Sequence, residues 1–151
     1  MYKIMECKSK LDIIDNEIVK IDAIKEKSLL EKYANYYFLL DFWMKNIEQG
    51  KKISNFFRNR AYKTVAIYGM ASLGEHFKCQ IESDISILYT IDREIVTYRG
   101  KQYSMKESIQ KLPKPDVVVI TPVMEYTNIK QKISAFICTD IVSLEEVVLS
   151  L

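Results

Sequence analysis

The sequence predicts an α/β fold, a mostly parallel five-stranded sheet (order 3-2-1-4-5) with a helical N-terminal extension. Three observations predict it. Within residues 61–151, short β-branched runs at 64–68, 85–91 and 117–121 alternate with amphipathic helical runs. Such alternation pairs strands in parallel through right-handed crossovers. Residues 1–60 hold no such run and carry helical spacing instead. Finally, the run at 64–68 leads directly into Gly69-Met70-Ala71-Ser72-Leu73-Gly74, a glycine-bounded turn that opens a helix.

Composition sets the outer bounds. The chain has 151 residues, 48% hydrophobic and 28% charged, with only 4 Gly and 3 Pro. Flexible linkers and low-complexity segments are excluded. A chain this long buries roughly two thirds of its unfolded surface, enough for a core without staples. Charge is nearly balanced, +2 overall. It falls as 12 basic against 9 acidic residues in 1–60 and 10 against 11 in 61–151. Neither part is a polycation, so no nucleic-acid partner is expected. Cys7, Cys79 and Cys138 are scattered, and His76 is the one histidine. That is too sparse a set for a zinc site, so no metal is expected. Unclustered cysteines suit a reducing compartment, which predicts a cytoplasmic protein. No apolar run follows the N-terminus, as expected without a signal peptide. The longest uncharged stretch, residues 64–74, is far shorter than a membrane span.

Three helices are expected in residues 1–60. Leu11, Ile14, Ile18 and Ile21 form one apolar stripe, with charges between them. Asp12, Asp15, Glu17, Asp22 and Glu26 alternate there with lysines, a solvated face and not a pair of catalytic acids. Ser28 with Glu31 has the spacing of a capping box for a second helix. That helix carries Tyr33, Tyr36, Tyr37, Leu40, Trp43, Met44 and Ile47 and ends at Gly50. Its rings either pack on the rest of the protein or form a homo-oligomer surface. A short third helix holds Ile53, Phe56 and Phe57.

The second part, residues 61–151, continues past the glycine turn with a helix over 73–81 and a strand over 85–91. A polar extended stretch with Val96 and Tyr103 turns at Gly100. Ser104 and Glu107 cap a short helix that Pro113 and Pro115 stop. A strand over 117–121 ends at Pro122. A helix over 125–133, a fourth strand over 135–138 and a terminal helix capped by Ser143 and Glu146 complete the reading.

The turn at 69–74 carries the functional expectation. A Gly-x-Ala-x-x-Gly turn opening a helix is where dinucleotide folds seat a pyrophosphate. Gly69 permits unusual backbone angles, and a small residue at Ala71 lets the main chain approach phosphates. Gly74 lets the helix pack tightly, and the first amides, including those of Ser72 and Leu73, point at the anion. Asp92 ends the second strand 18 residues after Gly74. That is the position from which a carboxylate accepts ribose hydroxyl hydrogen bonds. Arg93 follows it. An Asp there repels a 2′-phosphate, which favours NAD-like or nucleoside-diphosphate ligands over NADP. Thr121 and Pro122 end the third strand beside this loop, where Thr121 either bonds a ribose or phosphate or simply ends the strand.

The segments 63–74, 89–93 and 116–123, with the closing stretch 140–146, resemble small Rossmann-like domains of bacterial surface (capsular) polysaccharide loci. These are described as nucleoside-diphosphate-sugar epimerase-like. The resemblance covers roughly residues 35–151. It implies a Rossmann-like nucleotide-binding domain whose cofactor or ligand is NAD or a nucleoside-diphosphate sugar, with a glycan-biosynthesis enzyme as partner. Ala71 departs from the commoner glycine.

Catalytic motifs are nearly absent. Tyr126 and Lys130 have the Tyr-x-x-x-Lys spacing of sugar epimerases and short-chain dehydrogenases, in which the lysine lowers the tyrosine pKa. With 10 Tyr in the chain, about one such match arises by chance. His76 has no evident acid or nucleophile partner. The α/β part is also short for a complete enzyme. The expected organisation is a helical extension over 1–60 and a nucleotide-binding domain over 61–151. The expected function is a nucleotide- or nucleotide-sugar-binding accessory module. The alternatives are a non-catalytic scaffold with a ligand-free core and an aromatic dimer surface, or a reduced epimerase or dehydrogenase using Tyr126 and Lys130.

Overall fold

The computed structural model describes the backbone of residues 2–151 and the side chains from Asp15 onward. Cys7, Leu11, Asp12 and Ile14 lie outside the described side chains. Helix α1 runs without a break from Tyr2 to Glu48. The capping-box spacing at Ser28 and Glu31 therefore starts no second helix. No Gly or Pro interrupts residues 2–48, so nothing opposes propagation once the helix has formed. The helix ends where expected. Gly50 has φ +73°, its amide bonds Ile47 O at 2.9 Å, and the Lys51 amide bonds Asn46 O at 2.9 Å. This is the paired closure of a Schellman motif.

The chain divides after Leu40 into two compact units, one through Leu40 and one spanning Asp41–Leu151. The described residues of the first are helix alone. The second takes in the end of α1, α2 (Ser54–Asn59) and everything that follows. Bonds across this unit tie its helical start to its later elements. Trp43 Nε1 donates to Gln80 Oε1 at 3.1 Å. Asn46, buried, donates to Val148 O at 2.9 Å, and Ser54 Oγ donates to Asp84 at 2.7 Å.

The sheet has six strands and is mixed, which corrects the five-stranded expectation. Strands β1 (Thr64–Tyr68), β2 (Ser86–Asp92), β3 (Ile95–Tyr98), β4 (Lys101–Ser104), β5 (Val117–Ile120) and β6 (Asp140–Ser143) lie in the order β4-β3-β2-β1-β5-β6. The four strands from β2 to β6 are parallel, while β3 and β4 pair antiparallel at one edge. After β2 the chain makes no crossover. It turns within two residues, with Arg93 at φ +56°, and turns again through Arg99 and Gly100, both at positive φ. Two-residue turns of this kind match the strand twist and close hairpins. The polar stretch around Val96 and Tyr103 is therefore a hairpin on the free edge of β2. The fully exposed β4 leaves that edge polar.

Strand β6 also corrects the sequence reading. Residues 135–138 are no strand. The amides of Phe136 and Ile137 both bond Ile133 O at 2.9 Å, so this apolar run continues the turn ending α5 (Tyr126–Ser134) and sends Ile137 into the core. Pairing with β5 begins only at Asp140.

The central strands β1 and β5 are buried along nearly their whole length, as expected for parallel strands covered on both faces. Ala66, Tyr68, Tyr89, Ile91, Val118 and Ile120 form one core. Into it pack Met105 of α4 (Met105–Ser108), Ile109 of the following 3-10 turn, and Ile133 of α5. Strand alternation sends Val65, Ile67, Val117 and Val119 to the opposite face. Phe57 of α2 and Phe77 of α3 (Ser72–Ile81) meet with ring centroids 6.1 Å apart. Of the three expected capping boxes, only the last makes a capping bond. Ser143 Oγ accepts from the Glu146 amide at 3.0 Å and opens α6 (Leu144–Leu149). Ser104 stands at the start of α4, but its side chain makes no capping bond.

Candidate functional site

The glycine turn sits at the carboxyl end of β1, between β2 and β5. Its two glycines are needed for different reasons. Gly69 has φ +91°, and a Cβ there would lie 2.6 Å from Pro122 Cδ and 2.8 Å from Thr121 Oγ1. Gly74 packs against the Gly69 carbonyl so closely that a Cβ would overlap its oxygen. Gly74 thus sets how near α3 comes to the end of β1, the role assigned to the third glycine of such a loop.

Thr121 locks this arrangement. It is 3% exposed, and its hydroxyl lies 2.7 Å from Gly69 O and 3.2 Å from Tyr68 O. The Thr121 amide bonds Tyr68 O at 2.9 Å, and the Gly69 amide bonds Ile91 O at 2.8 Å. The single Thr121 proton is thus spent inside the fold, tying the ends of β1 and β5 together. Pro122 closes the gap over Gly69.

Helix α3 opens without a side-chain cap. Ala71 occupies the cap position in an ordinary extended conformation (φ −72°, ψ −171°), which any residue adopts. The first intrahelical bond runs from the Glu75 amide to Ala71 O at 3.0 Å. The amides of Ser72, Leu73 and Gly74 therefore have no intrahelical acceptor. Ala71 and Ser72 are exposed and Leu73 is half-buried.

A cleft of about 490 Å³ lies alongside this turn. Met70 of the loop, Glu75 and Lys78 of α3, Asp92 and Arg93 at the end of β2, and Gln102 of β4 all line it. Strand periodicity explains the position of Asp92. Tyr89 and Ile91 enter the core on one face, so Thr90 and Asp92 face the other, the side of α3. Arg93, in the left-handed region, turns the chain there, and its carbonyl accepts from Tyr68 Oη at 3.2 Å. Two carboxylates and two cations balance the cleft, and its volume suits a small-molecule ligand.

The structure thus brings Met70, Asp92 and Arg93 into one cleft, whose lining does not include Ala71, Ser72 or Leu73. It places Gly69, Gly74, Thr121 and Pro122 behind them as the frame. The sequence reading missed Glu75, Lys78 and Gln102. The first two were legible as neighbours three apart on the helix. Gln102 arrives only because the hairpin forms.

Tyr126 and Lys130 do meet, but elsewhere. Lys130 Nζ donates to Tyr126 Oη at 3.0 Å, and Tyr126 donates its own proton to Ile141 O at 2.9 Å. That bond to Tyr126 raises the Lys130 pKa. The pair lines a separate depression with Arg60, Tyr62, Asp140 and Glu146, which shares no residue with the Asp92 cleft. There Tyr62 donates to Asp140 at 2.5 Å, and burial together with that bond pushes its pKa up to about 12. His76 is exposed on α3. Among the described residues no cluster of three or more His, Cys, Asp or Glu is placed to hold a metal ion. Among them, too, no helix is long and apolar enough to cross a membrane.

No protein-family model, curated protein or solved structure matches this chain.

Proposed function

We propose that the unit Asp41–Leu151 is a nucleotide- or nucleotide-sugar-binding accessory module of bacterial cell-surface polysaccharide biosynthesis, serving a glycan-biosynthesis enzyme. One observation carries the binding reading. The Asp92 carboxylate lines the same cleft as Met70 and Glu75, which bracket the uncapped first turn of α3. The amides of Ser72, Leu73 and Gly74 hold a phosphate. Asp92 accepts from ribose hydroxyls, and Lys78 and Arg93 add positive charge along the cleft. A carboxylate at this point disfavours a 2′-phosphate, so NAD or a nucleoside diphosphate sugar fits better than NADP. The polysaccharide setting rests on the resemblance of the loop and strand segments alone.

Tyr126 and Lys130 take no part in this reading, because the Tyr126 hydroxyl proton goes to the Ile141 carbonyl and the pair lines a different depression. The test is thermal unfolding with NAD, UDP-sugars, and CMP- and CDP-linked compounds. A ligand at 100 times its Kd stabilises the native state by about 2.7 kcal/mol, a measurable shift.

A further inference from the structure

We propose that a cavity of about 210 Å³ beside Tyr89 is a second ligand site, for a single-ring aromatic anion with a hydroxyl at the end opposite its charge. It shares no residue with the Asp92 cleft and stands independently of nucleotide binding.

Three stretches far apart in the sequence enclose it. They are the 3-10 turn after α4, the loop through Pro115 that leads into β5, and the turn over 136–138 that follows α5. Ile109, Leu112, Phe136 and Ile137 make its walls apolar. Tyr89 reaches it from the middle of β2 and is 3% exposed.

The Tyr89 hydroxyl decides the chemistry. Among the described residues it has no hydrogen-bond partner. Burial alone pushes its pKa up to about 12, with neither a charge nor a hydrogen bond contributing. Yet no fully buried side-chain polar atom among the described residues lacks a partner. The hydroxyl is therefore reached from outside, and the cavity that its ring shares with Ile109 and Ile137 is the way in. A lone donor in an apolar chamber costs free energy until an acceptor meets it.

Size and polarity select the occupant. A cavity of about 150 Å³ takes benzene, so this one takes one ring with small substituents. Water needs roughly two to four polar partners, and Tyr89 is the one buried polar side chain in the lining. A ring fills the apolar walls, and a hydroxyl on that ring supplies the acceptor. Gln110 and Lys114, both exposed, stand at the mouth. No carboxylate among the described residues lines the cavity, so Lys114 gives it a positive rim that favours an anionic group facing solvent.

The probe is para-hydroxybenzoate, titrated into the whole chain and followed by NMR. Saturable binding is expected, with a Kd of about a millimolar or below. Benzoate, which lacks the hydroxyl, is expected to bind several-fold more weakly. Tyr89→Phe is expected to bring para-hydroxybenzoate down to the level of benzoate and to leave benzoate unchanged. Because the hydroxyl has no partner inside the fold, the same variant is expected to melt no lower than the parent. Lys114→Glu, at an exposed position, is expected to weaken both ligands several-fold. No saturation at millimolar para-hydroxybenzoate, equal binding of the two acids, or an affinity unmoved by Tyr89→Phe overturns the site. A Tyr89→Phe variant that melts well below the parent would give the hydroxyl a partner in the fold, and overturns it too. Binding unmoved by Lys114→Glu overturns the anionic assignment. None of these readouts involves the nucleotide cleft.

Discussion

The α-carbon of Gly74 rests against the carbonyl oxygen of Gly69, leaving no room for a side chain between α3 and the end of β1. Gly74→Ala should therefore cost about 3 kcal/mol or more, because relief requires moving backbone and not a flexible side-chain end. Denaturant unfolding measures this. An alanine variant within about 1 kcal/mol of the parent would show that the contact is looser than described.

Thr121 gives the second prediction. Its hydroxyl bonds Gly69 O in a buried setting. Thr121→Val keeps the shape and deletes the donor, leaving a buried carbonyl short of a partner, at a cost of about 1–3 kcal/mol. Thr121→Ser should recover most of it. A valine variant as stable as the parent would mean the bond contributes nothing.

Asp116 should carry a pH signature. The Lys63 and Thr64 amides donate to its carboxylate at 2.8 and 2.9 Å, and these bonds, Lys63 first, hold its pKa below the usual carboxylate value. A depressed folded-state pKa stabilises the fold at any pH above the unfolded value, about 3.9. That contribution is lost as the pH falls through the folded value. The advantage of the parent over Asp116→Ala in thermal melts should be constant from neutrality to about pH 5 and shrink below about pH 4. An advantage that grows on acidification contradicts this.

Ala61 terminates α2 at φ +58°. The Ala61 amide bonds Arg58 O and the Tyr62 amide bonds Phe57 O, so a position that favours glycine holds an alanine. Ala61→Gly should stabilise the protein by about 0.5–1 kcal/mol, the left-handed strain relieved less the extra chain entropy. A loss of stability would rule out strain at this residue.

The parts of the fold legible in the sequence were those where local pattern and tertiary need agree. The runs at 64–68 and 117–121 are β-branched and buried, that at 85–91 is apolar and partly buried, and each appears as a strand to within a residue or so. The hairpin was read only as polar extended chain, because β4 is exposed along its length and has no apolar face to betray it. The apolar run at 135–138 was read as strand because periodicity over four residues cannot separate a strand from the buried end of a helix. In α1 the aromatic stripe was plain, yet not which rings turn inward. Trp43 is buried and hydrogen-bonded while Tyr37, six residues earlier, is exposed. Composition does not distinguish them, and only the docking of the helix end does. The glycine turn and Asp92 were legible because each needs a residue type for a geometric reason. Gln102 was not, because its place in the cleft depends on the hairpin that carries it.

The most direct test of nucleotide binding is the thermal shift of the parent and of Asp92→Ala with NAD and UDP-sugars. Asp92 is exposed, so the ligand-free melting temperatures of the two should agree. A nucleotide should raise the parent's melting temperature and leave the variant's unchanged. No shift with any nucleotide, or a shift that survives Asp92→Ala undiminished, would contradict the site.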